Sequence, residues 1–493
     1  MRKAFSHQRR LDCPSVTDVS LNLNCRNETV PLLRGLQHIY STPKVRDPIL
    51  RAIARDVNGK SNADHGRPGL SYWEILVLAA ARLGCGLNYD QLQDLAENHR
   101  ALRQVMEIGD WESEEKNQKK FNWRRIESNL NLLSPETVAQ INQAIIQEGH
   151  RLEPKAAETV RGDSFVAETN IHYPTDSSLI GDGLRKVLSL AAMLATLIGV
   201  EGWRQHKHLH RKAKKLVRTI ERVAARKGSD YQERIKDPYR ELLALAEMIL
   251  TRADTLRETA RKQGAGNVEA LALDKDLDTF LQRTRQVCGI ARRRVLEGET
   301  IANNEKLFSI FETHTQLYKR GKAGQPLQFG RLVLVYEDGA GFITHHYILP
   351  RDKSDRDVVV QQTREAQKRH KNRIRRASFD RGFHSPENQK KLAKIIEHPC
   401  LPMLGANQAA EQDKTASVEF REARQSHPGI ESAIGTLQSG NKLERCSDRT
   451  ERGFERYIGL GVLGRNLHVL GKLLIAREAP KSPAAYSRRK PAA

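Results

Sequence analysis

Strand-like and helical periods follow one another along this chain in an order that leaves few arrangements open. Near Thr159 the pattern turns strand-like over Val160, Gly162, Ser164 and Val166, a short segment carrying Asp163. Residues 183–315 then read as helix nearly throughout, divided by Pro238 and the turn Lys227-Gly228-Ser229. Strand character returns at 332–336, Asp338-Gly339-Ala340-Gly341 supplies a turn, and 342–349 runs back, which predicts a hairpin. A helix over 355–369, a strand over 377–380 and a helix opened by Ser385-Pro386-Glu387 come next. A strand near 400–404, a polar loop, a helix beginning at Pro428 and a last helix over 454–476 complete the pattern. A strand pair followed by helices and single strands suits an α/β fold, a mixed sheet with helices on its faces. Residues at strand ends and nearby helix starts converge in such sheets. Asp163, Asp380 and Glu431 occupy such places.

The region before the first strand reads differently. Residues 1–65 lack a clear period and are expected to form a partly ordered arm. Residues 66–150 are expected to form an all-α domain. Ser71 with Glu74 makes a capping box ahead of an apolar stripe, Gly84 and Gly86 interrupt it, and Asn88 caps a second helix. A third segment lies near 123–133, and Ser134-Pro135 opens a fourth. Short helices around a glycine-containing turn fit a helix-turn-helix DNA binder or a plain helical bundle, and the pattern leaves both open.

Charge decides between classes of partner. Lys and Arg number 82 against 60 Asp and Glu, formally +22, an excess that favours polyanions and above all nucleic acid. Within the helical block Leu209, Ala213, Leu216, Val217, Ile220 and Val223 form one apolar stripe, and the other faces carry Arg204, Lys207, Arg211, Lys212, Lys214, Lys215 and Arg218. Such a run is a solvated face or a contact for a phosphate backbone, the expected contacts being Arg204, Lys207, Arg211, Lys214 and Lys215. The most apolar run, 187–200, is shorter than the roughly 20 residues of a membrane helix, and no secretory signal is read at the N-terminus. Six scattered cysteines without ligand spacing indicate a reduced, cytoplasmic protein.

Three convergent carboxylates repel one another unless a cation joins them. Magnesium takes oxygen ligands, one or two carboxylates with waters and substrate phosphates, and Mn²⁺ can substitute. Two such ions about 4 Å apart serve the attacking and leaving oxygens of a phosphoryl displacement.

The words around the acids carry a family resemblance. Arg161-Gly162-Asp163-Ser164 with Glu168-Thr169-Asn170-Ile171-His172-Tyr173-Pro174-Thr175-Asp176 resembles the first-Asp region of bacterial insertion-sequence DDE transposases. Ser378-Phe379-Asp380-Arg381-Gly382-Phe383 is similar to their second-Asp region, and His427-Pro428-Gly429-Ile430-Glu431-Ser432 to their third-acid helix. Gly464-Arg465-Asn466-Leu467 belongs to a run resembling the helix that closes these domains, and residues 69–108 resemble their N-terminal helical domain.

The resemblance implies a ribonuclease-H-like catalytic domain over 157–477 with a helical insertion at 183–318. It also implies cleavage at the terminal inverted repeats of double-stranded DNA and joining to target DNA, as a homodimer or higher complex. Asp163, Asp380 and Glu431 would be the catalytic, Mg²⁺-binding triad. Where many relatives hold Tyr, Arg and Lys around the Glu, this chain has Arg424, His427 and Gln438, with Lys442 a turn later as a stand-in, so Arg424, His427 and Lys442 become candidate DNA contacts. A structure-specific nuclease of the same chemistry and a domesticated DNA-binding protein are the competing readings. His172, His384 and His427 lack zinc-ligand spacing. Asp176 reads as a turn cap, Trp203 as a packing residue or a base-stacking one, and the basic tail 478–493 as disordered.

Overall fold

The computed structural model describes residues 2–5, 11–59, 69–109, 119–226, 228, 230–263, 267–319, 326–403, 405, 412 and 416–478; the expectation for the tail lies almost wholly outside them. The chain divides into two compact units, Met1–Glu168 with Arg331–Ala493, and Thr169–Gly330. Its mixed sheet has six strands: β1 (Thr159–Glu168), β2 (Gln316–Lys319), β3 (Leu327–Asp338), β4 (Ile343–Ile348), β5 (Arg376–Phe379) and β6 (His398–Cys400). Their order is β2-β3-β1-β5-β6, with β4 also pairing with β3. The predicted hairpin is β3 and β4, antiparallel with a register shift at Tyr336/Glu337. β1, β5 and β6 run parallel.

Among the described residues the α-helices before β1 are α1 (Thr29–Ser41), α2 (Pro43–Asn58), α3 (Tyr72–Gly84), α4 (Tyr89–Asn98), α5 (Arg100–Val105), α6 (Trp123–Leu130) and α7 (Pro135–Leu152). The expected arm is therefore corrected over much of its length, since α1 and α2 bury Leu32, Leu33, Leu36, Ile39 and Ile53 in the core. The three caps read from sequence are present. Ser71 accepts from Glu74 N while Glu74 accepts from Ser71 N, Asn88 and Gln91 repeat the box, and Ser134 accepts from Thr137 N. All thirteen residues of α3 are buried, so this helix cannot lie in a DNA groove.

The second unit holds α8 (Asp176–Leu197), α9 (His206–Ala225), α10 (Tyr231–Arg234), α11 (Lys236–Gln263) and α12 (Val268–Ala291), which passes into a π turn, Arg292–Leu296. β2 pairs here with the first four residues of β3. Its core is its own, built on Leu184, Leu188, Leu194, Leu242, Ile249, Leu277 and Leu281. The unit is wider than the expected 183–318 because a Thr175–Ser178 capping box starts the first helix at Asp176.

After the hairpin come α13 (Asp355–Arg369), α14 (Pro386–Leu392), α15 (Val418–Ser426), α16 (Gly429–Gly435) and α17 (Glu451–Glu478). α13 has the bounds read from sequence. α15 stands where a polar loop was expected; only Ala423 is buried in it, so no apolar period announced it. β6 ends at Cys400, short of the expected strand.

α17 is the axis of the first unit's core. It is also the one described helix long and apolar enough to cross a membrane, and 78% of that window is buried inside the fold. Glycines bring it against its neighbours. A Cβ on Gly464 would stand 2.5 Å from Gly84 Cα of α3, and one on Gly471 would stand 1.8 Å from Pro31 O of α1. Asn466 clamps β4, its amide donating to Ile343 O at 3.1 Å and its carbonyl accepting from Ile343 N at 2.8 Å. Arg82 of α3 pairs at 2.6 Å with Asp448, which Arg456 of α17 also reaches at 3.2 Å. N-terminal helices and sheet thus share one core, and no boundary falls near residue 150.

Gly471→Ala, which thrusts a methyl at a backbone carbonyl, should lower unfolding stability by about 1–3 kcal/mol. Gly435→Ala, at a helical position with open space, should raise it by about 0.5–1 kcal/mol. Denaturant titration reads both, and equal effects would refute the packing account. Acid should also act through three buried imidazoles. Burial pushes His345 down to about 3, and His370 and His468 to about 4. These groups stay neutral in the fold but take a proton in the unfolded chain below about pH 6.5, so stability is full above that pH and falls as pH drops toward 4. On the order of 2 kcal/mol per imidazole should be lost by pH 5. His468→Gln should make the slope of stability against pH shallower by one proton.

Candidate active site

The parallel pairing of β1 with β5 brings the first two acids together. The register sets Arg161 opposite Ser378 and Gly162 opposite Phe379, so Asp163, in the middle of β1, comes next beside Asp380, the residue just past the end of β5. Alternation along a strand puts Arg161 and Asp163 on one face with Ser378 and Asp380, and Gly162 and Phe379 on the other. Gly162 is required there, because a Cβ would come within 2.6 Å of the Phe379 ring. One oxygen of each Asp is held by the next backbone amide, Ser164 N and Arg381 N, both at 2.7 Å. Asp380 is exposed and Asp163 partly so.

The corner between α15 and α16 covers this face. Arg161 donates to Ser426 O at 2.9 Å, and its guanidinium fills the space a Cβ on Gly429 would need, 1.9 Å away. His427 shares a hydrogen bond with Ser378 Oγ at 3.1 Å. Glu431 follows in the first turn of α16, exposed, while Ile430, Ala433 and Ile434 turn into the core. Burial, with Arg161 close by, holds the His427 imidazole below its ordinary pKa, against the opposing pull of Asp380 and Glu431.

Behind Arg161 lies Glu337, 3% exposed, whose oxygens receive Arg161 Nη2 at 2.6 Å and Arg465 Nη2 of α17 at 3.4 Å. Burial raises its pKa and the two guanidinium groups oppose that shift. On the opposite face of β1, Ser164 Oγ donates to Asp355 Oδ2 at 2.8 Å, fastening α13.

The donor set suits a hard cation. Asp163 and Asp380 offer carboxylate oxygens on one sheet face, beside the His427 imidazole. Among the described residues no group of three His, Cys, Asp or Glu side chains already stands close enough to hold an ion. Mg²⁺ ordinarily takes only one or two carboxylates with waters and substrate phosphates, and Asp163 and Asp380 are the residues here that could supply them.

The other expected site residues fall elsewhere. Arg204, Lys207, Arg211, Lys214 and Lys215 are exposed on and beside α9 in the second unit, where Arg218 and Arg222 join Arg211, Lys214 and Lys215 around a shallow concavity. Leu209, Ala213 and Ile220 are the buried stripe. Trp203 is 8% exposed beneath Arg252, 5.2 Å from its ring, a packing residue that no base can stack on as it stands. Asp176 opens α8 and pairs with Arg294 at 3.2 Å within the second unit. Arg424 sits on α15, and His427 is the one candidate DNA contact that the fold seats among the acids. Lys442 lies past the end of the helical run from Glu431, at φ 53°, and eleven residues of helical rise would separate the two by about 16 Å. The helical run stops before it, so Lys442 does not continue the helix one turn past Gln438. Sequence reasoning missed Arg161, Glu337 and Ser378; the two-residue spacing of Arg161 from Asp163 and of Ser378 from Asp380 was the available signal.

Comparison of the chain with known protein families, with curated proteins and with solved structures gave no match.

Mg²⁺ at ten to a hundred times its dissociation constant should stabilise the protein by about 1.4–2.7 kcal/mol. Asp163→Asn with Asp380→Asn should abolish that gain and, without Mg²⁺, relieve repulsion between the two carboxylates. A thermal shift with and without Mg²⁺ reads both, and an equal gain in the double variant would remove the metal from this face.

Proposed function

We propose that this chain is a Mg²⁺-dependent DNA-cleaving and DNA-joining enzyme of the DDE transposase kind, with Asp163, Asp380 and Glu431 as its carboxylates. The observation that carries the reading is the shared sheet face: Asp163 within β1 beside Asp380 just past the end of the parallel β5, next to a helix that brings a glutamate. The mixed sheet, with its antiparallel hairpin beside parallel strands, supports a ribonuclease-H-like reading of the first unit. The helical unit inserted between β1 and the hairpin supports the insertion.

In this reading Asp163 and Asp380 hold the metal and Glu431 completes its site once substrate phosphates are present. Bound there, Mg²⁺ supplies activation of the attacking oxygen, water for cleavage or a DNA 3′-hydroxyl for joining, and charge relief at the leaving oxygen. His427, which shares a hydrogen bond with Ser378 Oγ, offers the phosphates a hydrogen-bond partner. The exposed basic face of α9 holds duplex DNA, the element ends and the target, through phosphate contacts. A synaptic homodimer is the assembly the chemistry calls for. The carboxylates are not gathered into a closed cluster, which favours one rival, a DNA-binding protein that no longer cuts.

Labelled duplex ending in the element's terminal repeat separates the two. Cleavage at the repeat boundary with Mg²⁺, reduced about a hundredfold or more in Asp380→Asn, is the expected result. Tight repeat binding with no cutting under Mg²⁺ or Mn²⁺ would leave only the DNA-binding reading. Arg211→Ala with Lys214→Ala should flatten the dependence of log affinity on log salt by about 1.8, two phosphate contacts' worth.

A further inference from the structure

We propose that Arg161 is the positioning residue of this site: it sets the start of α16, and so Glu431, against the strand that carries Asp163. The inference rests on the reading of the three acids as one metal-binding set.

Among the described residues the Glu431 side chain makes no hydrogen bond or ion pair, so its place depends on the helix that carries it. That helix begins at Gly429, two residues earlier, and Gly429 rests directly on the Arg161 guanidinium. The same guanidinium donates to Ser426 O, the last residue of α15, so one planar group touches both sides of the corner. Its second fork ends on Glu337, which is buried and held from behind by Arg465 of the core helix α17. Arg161 is itself two residues from Asp163 on the same strand face. The path from core to third acid therefore runs Arg465, Glu337, Arg161, Gly429, Glu431, while the first acid is fixed to Arg161 through β1.

Two directed bonds at different angles require a guanidinium. A lysine ammonium supplies the charge but not the fork, and could meet Glu337 or Ser426 O with far less constraint on both. A glutamine would fill some of the space and leave Glu337 with Arg465 alone. Displacing a metal ligand by an ångström through a neighbouring group is enough to cost about a hundredfold in rate. Loss of a partner that orients a ligand weakens metal binding about ten- to a hundredfold.

The test uses the full chain as wild type, Arg161→Lys and Arg161→Gln, with three readouts: Mn²⁺ affinity by electron paramagnetic resonance, repeat-DNA affinity, and kcat and KM for strand cleavage. Arg161→Gln should weaken Mn²⁺ about tenfold and lower kcat about a hundredfold, with KM and DNA affinity within about twofold of wild type. Arg161→Lys should recover part of both losses. If it alone folds, a loss in Mn²⁺ affinity and kcat with DNA affinity kept still supports the proposal. Mn²⁺ affinity and kcat unchanged in a folded variant would overturn it. So would DNA affinity falling in step with kcat, since Arg161 would then be a phosphate contact. A wild-type protein that neither binds Mn²⁺ nor cuts would overturn the carboxylate reading and this proposal together, whereas failure of the variants alone leaves that reading standing.

Discussion

A carboxylate taken out of water needs cations around it, and Glu337 is where this fold meets that need. Its position at the end of β3 leaves it 3% exposed, with Arg161 from the neighbouring strand and Arg465 from the core helix closing on it. Removing either partner would leave a buried charge underpaired, a cost far above that of a surface ion pair. The strand bearing the first aspartate, the hairpin and the last helix are thus held at one point, and the corner leading to Glu431 rests on the same guanidinium.

That point holds only because α17 sits where it does. Glycine at 464 and 471 lets α17 approach α3 and α1 to backbone distance, and Asn466 satisfies both polar groups of Ile343 in the buried edge of the hairpin. An unpaired buried amide or carbonyl is costly, so the side-chain amide fixes the depth of the helix against β4. Arg82, Asp448 and Arg456 add a buried charged group between α3 and α17. The N-terminal helices thereby become part of the body that positions the acids, although they contribute none.

The excess positive charge is distributed with the same logic. In the second unit the basic residues of α9 stay in solvent over an apolar stripe, where a phosphate backbone could reach them. In the first unit Arg82, Arg161, Arg456 and Arg465 are consumed by carboxylates or carbonyls and serve the fold. Net charge alone therefore overstates the surface offered to a polyanion.

The periods of the chain were enough to draw β1, the hairpin, α13 and the helix of Glu431, because each is a local pattern bounded by its own cap or turn. The α/β class was legible for the same reason, whereas the candidacy of Asp163, Asp380 and Glu431 rested on their placement together with the family resemblance of the words around them. An apolar stripe tells that a face is buried and not what buries it. Hence residues 29–58 passed for an arm and 66–150 for a separate domain, while α17 carried no mark of its central place. Lys442 stood one turn past Gln438 only if the helix continued, and it ends at Gly440. The pairing of β1 with β5 joins residues more than two hundred positions apart, and only the fold could decide that register. Sequence by itself determined which residues bear charge, where strands and helices begin, and which acids were available. Tertiary structure decided which of them share a face, because that depends on hydrogen-bond register and on how closely two backbones can approach.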